Sequence, residues 1–67
     1  MDIRKKFGKR VKSYRLKKDL SQEALAHEAD SNRTYISDVE RGRRNPSIEV
    51  VERIAKALNV TMGDLLD

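Results

Sequence analysis

The residue types best suited to chemistry are concentrated in one stretch, SNRTYISDVERGRRNP, at residues 31–46. There, hydroxyl, amide, carboxylate and guanidinium groups surround three apolar residues, Tyr35, Ile36 and Val39. Such groups exchange hydrogen bonds, and guanidinium groups also pair with anions. The stretch therefore favours recognition of a polar, anionic partner, and a solvated helix face is the simpler alternative.

Positive charge is concentrated in two segments of the chain, whose formal net charge is +4. Residues 1–18 hold nine Lys or Arg residues and one acidic residue, and three arginines lie within residues 41–44. The charged residues in the intervening segment 19–40 are six acidic residues and one arginine. A local cationic surface suits a polyanion such as nucleic acid, but a solvated lysine-rich helix has the same composition. Charge alone does not decide between the two.

The sequence lacks the residues that catalytic and metal-binding sites usually need. His27 is the only histidine, the chain has no cysteine, and its three glycines form no phosphate-binding loop. We therefore expect no enzyme activity, no bound metal and no cofactor.

A membrane location is also not expected. No apolar run approaches the roughly 18 residues of a membrane-spanning helix, and the N-terminus lacks the apolar segment of a secretory signal. The basic N-terminal helix could lie on an anionic membrane, but its apolar stripe suits a helical core better. We expect a cytoplasmic protein that forms a single domain over residues 1–67.

Apolar residues recur at helical spacing almost throughout, which predicts an all-α fold of five short helices. The first helix is about 15 residues long with Asp2 as its N-cap. Its apolar stripe consists of Ile3, Phe7, Val11 and Tyr14.

The second and third helices are predicted to lie close together in sequence. Ser21 is a good N-cap for the segment SQEALAHE, and Asn32 can cap a third helix that ends near Glu40, before Gly42. Only about three residues, 29–31, join the two helices, which is the spacing of a helix-turn-helix. The apolar residues available for burial are Ala24, Leu25 and Ala29, and then Tyr35 or Ile36 with Val39.

A fourth helix is predicted to begin at Pro46 and Ser47 and to end at Asn59 in a left-handed conformation. Thr61 then caps a final turn, MGDLLD. The inward residues expected in the fourth helix are Ile48, Val51, Ile54, Ala55 and Leu58.

Four segments resemble the phage repressor and Cro family of helix-turn-helix proteins, also called the Xre family. They are RVKSYRLKKDLSQEALAHEA, RTYISDVERGRRNPS, VVERIAKALNV and GDLL, and they cover nearly the whole chain. The second of these segments also resembles the controller proteins of restriction-modification systems, because it has Ser37, Glu40, Gly42 and Pro46 in register. Many other family members share these residues. The resemblance implies a compact five-helix, lambda-repressor-like domain with its helix-turn-helix in the second and third helices.

Three residues depart from the family pattern. Asp19 and Asp30 stand where the family usually has glycine, and aspartate tolerates a left-handed backbone better than most residues. Ser31 stands where the family prefers Val or Leu, so we expect a lost core contact that costs about 1–2 kcal/mol.

The resemblance implies a sequence-specific transcriptional regulator that binds operator double-stranded DNA, with a recognition helix at about 32–40 in the major groove. Arg33 could donate two hydrogen bonds to guanine, and Thr34 could contact a neighbouring base. Ser37 shares the face of Arg33. Asp38 could accept a hydrogen bond from cytosine, or be solvated or paired with an arginine.

Contacts to DNA phosphates are expected on both sides of this helix. Gln22 resembles the family residue that fixes the DNA backbone at the start of the second helix. Tyr35 could pack in the core while its hydroxyl contacts a phosphate. The remaining candidates are Asn32, Arg43, Arg44 and Asn45.

Arg15 and Glu40 both match the family pattern, and the resemblance implies a structural ion pair between the first and third helices. Removing one partner of a buried pair costs about 3–5 kcal/mol.

Specific recognition by so small a domain is expected to need a homodimer, because two recognition helices about 34 Å apart contact successive half-sites. The candidate interface residues are Val50, Val60, Met62, Leu65 and Leu66. Val60 and Leu65 could instead close the core of the monomer. No small-molecule effector domain is expected. Domains of this kind also serve as antitoxins or adaptors whose main partner is a protein, and this remains the alternative function.

Overall fold

The computed structural model describes residues 2–67, and within this range it contains five α-helices and no β-strand. The helices are α1 (Ile3–Lys17), α2 (Gln22–Glu28), α3 (Arg33–Glu40), α4 (Ile48–Leu58) and α5 (Met62–Leu66). The predicted all-α fold with five helices is confirmed. None of the described helices combines the length and apolar character needed to cross a membrane.

Every helix begins at a residue whose side chain accepts a hydrogen bond from the first turn. These N-cap residues are Asp2, Ser21, Asn32, Ser47 and Thr61. The first N–H groups of a helix have no partner within it, and a capping side chain satisfies one of them. The helices therefore start where the short polar residues of the sequence predict.

Each of the first four helices is followed, one or two residues after its last residue, by a residue with left-handed backbone conformation. These residues are Asp19, Asp30, Gly42 and Asn59, with φ angles of 59, 56, 75 and 57°. After each of them, the next N–H donates to a carbonyl five residues earlier, as Ser31 does to Ala26 at 2.8 Å. This closure satisfies the last carbonyls of each helix and reverses the chain sharply. The expectation that Asp19 and Asp30 tolerate a left-handed backbone is confirmed.

The core lies where the five helices meet and is formed by aliphatic side chains and one phenylalanine. Its members are Phe7, Val11, Leu25, Ala26, Ala29, Ile36, Val39, Val51, Ile54, Ala55, Leu58 and Leu65. On α3 the sequence left Tyr35 and Ile36 as alternatives, and Ile36 is the fully buried residue.

Two predicted inward residues are wrong, because Ile3 and Ile48 are 58% and 77% exposed. Each is the first residue of its helix, where the apolar stripe extends past the edge of the core. In α2, Ala26 is buried, whereas Ala24 is only partly covered.

The backbones of α1 and α3 approach closely at Gly8. A Cβ atom at this position would overlap the carbonyl oxygen of Val39 and lie 2.8 Å from that of Glu40. Only glycine lets the two helices pack at this distance. The contact places the C-terminal end of α3 directly against α1.

Candidate nucleic-acid interface

The turn between α2 and α3 is held rigidly by hydrogen bonds. Asp30 adopts the left-handed conformation that redirects the chain, and Asn32 then caps α3 by accepting the Tyr35 N–H at 2.9 Å. From α4, Arg53 donates through Nε to the carbonyl oxygen of Ala29 at 3.0 Å. The predicted helix-turn-helix is therefore present, with its turn tied to a third helix.

The accessible face of α3 carries the residues that were expected to read bases. Ile36 and Val39 point into the core. The other side of the helix presents Arg33, Thr34, Ser37 and Asp38. Arg33 lies four residues before Ser37, and Thr34 lies four residues before Asp38, so the two pairs form adjacent rows on one surface. Arg33 and Thr34 are exposed, whereas Ser37 and Asp38 are half-buried. The structure thus brings all four candidates together on the outside of α3.

Arg15 and Glu40 form a buried ion pair that joins α1 to the end of α3. Arg15 Nε lies 2.6 Å from Glu40 Oε2, and Arg15 Nη2 lies 3.1 Å from Oε1. The side chains are only 9% and 4% exposed. Arg15 Nη1 also donates to the carbonyl oxygen of Leu20 at 2.7 Å, so the guanidinium group links three parts of the chain.

Gln22 extends this network to the start of α2. Its Nε2 donates to Glu40 Oε1 at 3.1 Å. Among residues 2–67, no buried side-chain nitrogen or oxygen lacks a hydrogen-bond partner. Each buried nitrogen and oxygen of the network therefore has a partner, as a buried ion pair requires. The sequence indicated the Arg15 and Glu40 pair but not the participation of Gln22.

The loop after α3 folds back onto that helix and carries three exposed candidates for phosphate contact, Arg43, Arg44 and Asn45. Arg44 Nε donates to Asp38 Oδ2 at 3.3 Å, and the Arg44 guanidinium carbon lies 5.1 Å from the centroid of the Tyr35 ring. Of the alternatives left open for Asp38, pairing with an arginine is the one present.

The residues predicted for a dimer interface have different environments. Leu65 is fully buried and packs in the monomer core, so its assignment to the interface is wrong. It faces inward because α5 packs against α1 and α4. Leu66 is 38% exposed, while Val50, Val60 and Met62 are partly covered and pack against the core.

A small apolar depression lies beside Leu66 at the surface. Its apolar lining residues are Ile3, Phe7, Pro46, Val51 and Leu66, and Arg4 and Asn45 also border it. The sequence did not predict this feature, because Ile3 was expected to be inside. Within the described part of the chain, no group of three His, Cys, Asp or Glu residues is arranged to hold a metal ion.

Comparisons with known proteins agree with this geometry. The family model described as Helix-turn-helix (HTH_3) matches residues 11–65. Control protein C.BamHI of Bacillus amyloliquefaciens is 55% identical over 67 residues, which cover 98% of this chain and 83% of that protein.

Two solved structures are similar over most of the chain. The restriction-modification controller protein C.AhdI from Aeromonas hydrophila superposes with a TM-score of 0.90 at 40% identity, covering 92% of this chain and 94% of the other. The biofilm regulator SinR in complex with DNA superposes with a TM-score of 0.86 at 39% identity, covering 91% and 98%. Since the family model matches well over half of the chain, the protein belongs to the Xre-type helix-turn-helix family.

Proposed function

We propose that this protein is a transcriptional regulator that binds operator DNA as a homodimer, with α3 in the major groove. The observation that carries the proposal is the polar outer face of α3 on a helix fixed by the Arg15 and Glu40 pair. The similarity to SinR, whose structure was determined with DNA, supports it. Such a protein acts on DNA in the cytoplasm and needs no catalytic group.

Base recognition is assigned to the exposed first turn of α3 and to the residue one turn later. The guanidinium group of Arg33 can donate to guanine O6 and N7 together, and Thr34 offers a hydroxyl and a methyl group. Ser37 is short enough to contact a base edge from the same face. These assignments follow from exposure and side-chain chemistry, because recognition helices read bases mainly with their N-terminal residues.

Phosphate contacts are assigned to groups that flank α3. The Gln22 amide uses one N–H for Glu40 and keeps a second N–H for a phosphate, and Asn32 caps through its oxygen and keeps its amide N–H groups. Tyr35 offers its hydroxyl. The remaining contacts are assigned to Arg43, Arg44 and Asn45.

Homodimerisation is assigned to the surface around the C-terminal end of the chain. Of the predicted interface residues, Leu66 is the most accessible, and Val50, Val60 and Met62 are the others with partial exposure. A dimer would present two copies of α3 to successive half-sites, about 34 Å apart on one face of DNA. The apolar depression beside Leu66 supports an interface in this region.

Control of a restriction-modification system is the role that the relatives favour. C.BamHI is a control protein and C.AhdI is a restriction-modification controller, and both match this chain along most of its length. We therefore propose that the regulated genes belong to such a system.

The proposed function is tested by selecting bound sequences from a pool of random DNA duplexes at physiological salt. We expect enrichment of two half-sites one helical turn apart, and two such pairs in tandem if the protein is a controller. If no sequence is enriched, the operator-binding function is wrong. The alternative of an antitoxin or adaptor with a protein partner would then be pursued.

A further inference from the structure

Arg44 is held from two sides before any ligand is present. Its Nε donates to Asp38 Oδ2 at 3.3 Å, and its guanidinium carbon lies over the Tyr35 ring, 5.1 Å from the ring centroid. Tyr35 and Asp38 are three residues apart in α3, so one turn of the helix presents both supports. A loop arginine thus occupies a defined place beside the outer face of α3.

The backbone of the loop produces this arrangement. Gly42 has a φ angle of 75°, and the chain reverses there. The Arg43 N–H then donates to the carbonyl oxygen of Asp38 at 2.9 Å, which closes the end of α3. The backbone of Arg44 therefore follows directly after a residue that is hydrogen-bonded to Asp38. Asp38 contacts the loop through both its backbone carbonyl and its carboxylate.

We propose that Asp38 is a positioning residue, whose carboxylate orients Arg44 toward a DNA phosphate and does not read a base. This inference rests on the proposed function, since it requires DNA against α3. Asp38 engages Arg44 only through Nε, and among residues 2–67 Nη1 and Nη2 have no hydrogen-bond acceptor. These two nitrogens can bind a phosphate in a forked geometry.

Electrostatics favours the same role. A carboxylate beside DNA phosphates is repelled unless a cation neutralises it, and Arg44 provides that cation within the protein. Arg44 keeps 48% of its side-chain surface exposed, whereas Asp38 keeps 24%. The cationic member of the pair is therefore the one that is accessible to a ligand.

The benefit of the arrangement is preorganisation. A free arginine loses rotamer freedom when it binds a phosphate, and fixing it beforehand reduces this loss. The expected effect on affinity is about 2- to 10-fold. The Tyr35 ring limits motion of the guanidinium group on one side, and the hydrogen bond to the Asp38 carboxylate restricts rotation of the Arg44 side chain.

A double-mutant cycle on the selected operator tests the proposal. Asp38→Ala is expected to weaken binding about 2- to 10-fold, equally for all base-pair variants of the operator. In the Arg44→Ala background the same substitution is expected to cause no loss, and affinity should stay the same or rise because no cation then neutralises the carboxylate. Asp38→Asn keeps an acceptor for Nε and should recover part of the lost affinity.

A second measurement does not depend on DNA. The NMR signal of the Arg44 Nε–H in the free protein is expected to shift in Asp38→Ala and, through loss of the ring, in Tyr35→Leu. Tyr35→Phe keeps the ring and should leave the signal in place. Thermal unfolding of each variant checks that the fold is retained.

Three outcomes would overturn the inference alone, and a fourth would overturn the proposed function as well. The Asp38→Ala loss could persist without Arg44 and be confined to one base pair, which would make Asp38 a base-reading residue. Affinity could instead rise, which would mean that Asp38 only repels phosphates. If the wild type binds its operator and the cycle shows no coupling, the positioning role alone fails. If the wild type binds no duplex, the proposed function fails with it.

Discussion

Arg15 in α1 and Glu40 at the end of α3 make two hydrogen bonds to each other, at 2.6 and 3.1 Å, while both side chains are almost completely buried. The pair lies at the end of the helix whose outer face is assigned to DNA. It therefore connects the packing of the domain to the orientation of α3.

Replacing one partner of this pair is expected to destabilise the fold strongly. Glu40→Ala leaves the Arg15 guanidinium buried without its counter-ion, and we expect the free energy of unfolding to fall by about 3–5 kcal/mol. Urea unfolding measures the change. Lys12→Ala removes an exposed charge from α1 and serves as the control, with little expected effect. A Glu40→Ala protein as stable as the control would show that the pair contributes nothing.

Substitutions at two glycines are expected to have different effects on stability, because only Gly8 lies where α1 and α3 approach closely. At Gly8 a methyl group meets backbone oxygens that cannot move separately from α3, so Gly8→Ala should cost about 1–3 kcal/mol despite its better helix propensity. At Gly63 the nearest atom is the Asp67 carboxylate oxygen at 3.2 Å, on a flexible side chain. Gly63→Ala should therefore be neutral or stabilising by up to about 1 kcal/mol. Equal melting temperatures for the two variants would contradict this explanation.

Adjacent leucines in α5 are expected to affect different properties. Leu65→Ala opens a cavity in the core and should lower the free energy of unfolding by about 2–5 kcal/mol. Leu66→Glu places a charge on the surface assigned to the dimer and should shift sedimentation equilibrium toward the monomer. Leu66→Met keeps the surface apolar and is the control. A Leu66→Glu protein that dimerises normally would exclude this surface as the interface.

The loop after α3 predicts a specific change in salt dependence. Arg43→Ala should weaken binding equally for all DNA sequences and reduce the slope of log affinity against log salt concentration by about 1, because one phosphate contact is lost. Lys56→Ala removes the same charge from α4 and is the control. An unchanged slope for Arg43→Ala, or an equal change for both variants, would contradict a phosphate contact at this position.

Much of the fold could be predicted because its signals are local. The N-caps and the left-handed residues depend on side chains within a few positions, so Asn32 and Asp30 mark the turn of the helix-turn-helix directly. Periodicity was less reliable at helix ends. It placed Ile48 inside, but the side chain of this first residue of α4 is 77% exposed.

The features that the sequence did not predict depend on distant partners. Gly8 resembles any glycine within a helix until α3 lies against it, and Arg53 resembles a solvated arginine until its contact with Ala29 is known. The sequence does not decide whether Leu65 lies in the core or at an interface, because a short apolar segment fits both. For the candidate site, helical spacing places Arg33 and Ser37 on one face, but the return of Arg44 to Asp38 requires the folded loop.

The most direct test of the account is the affinity of the wild type and of Arg33→Ala for every single base-pair variant of the selected operator. We expect the wild type to discriminate at each half-site. Arg33→Ala should lose about 1–3 kcal/mol of discrimination at one base pair in each half-site and keep the rest. A uniform loss across all variants, or none, would contradict base reading by α3.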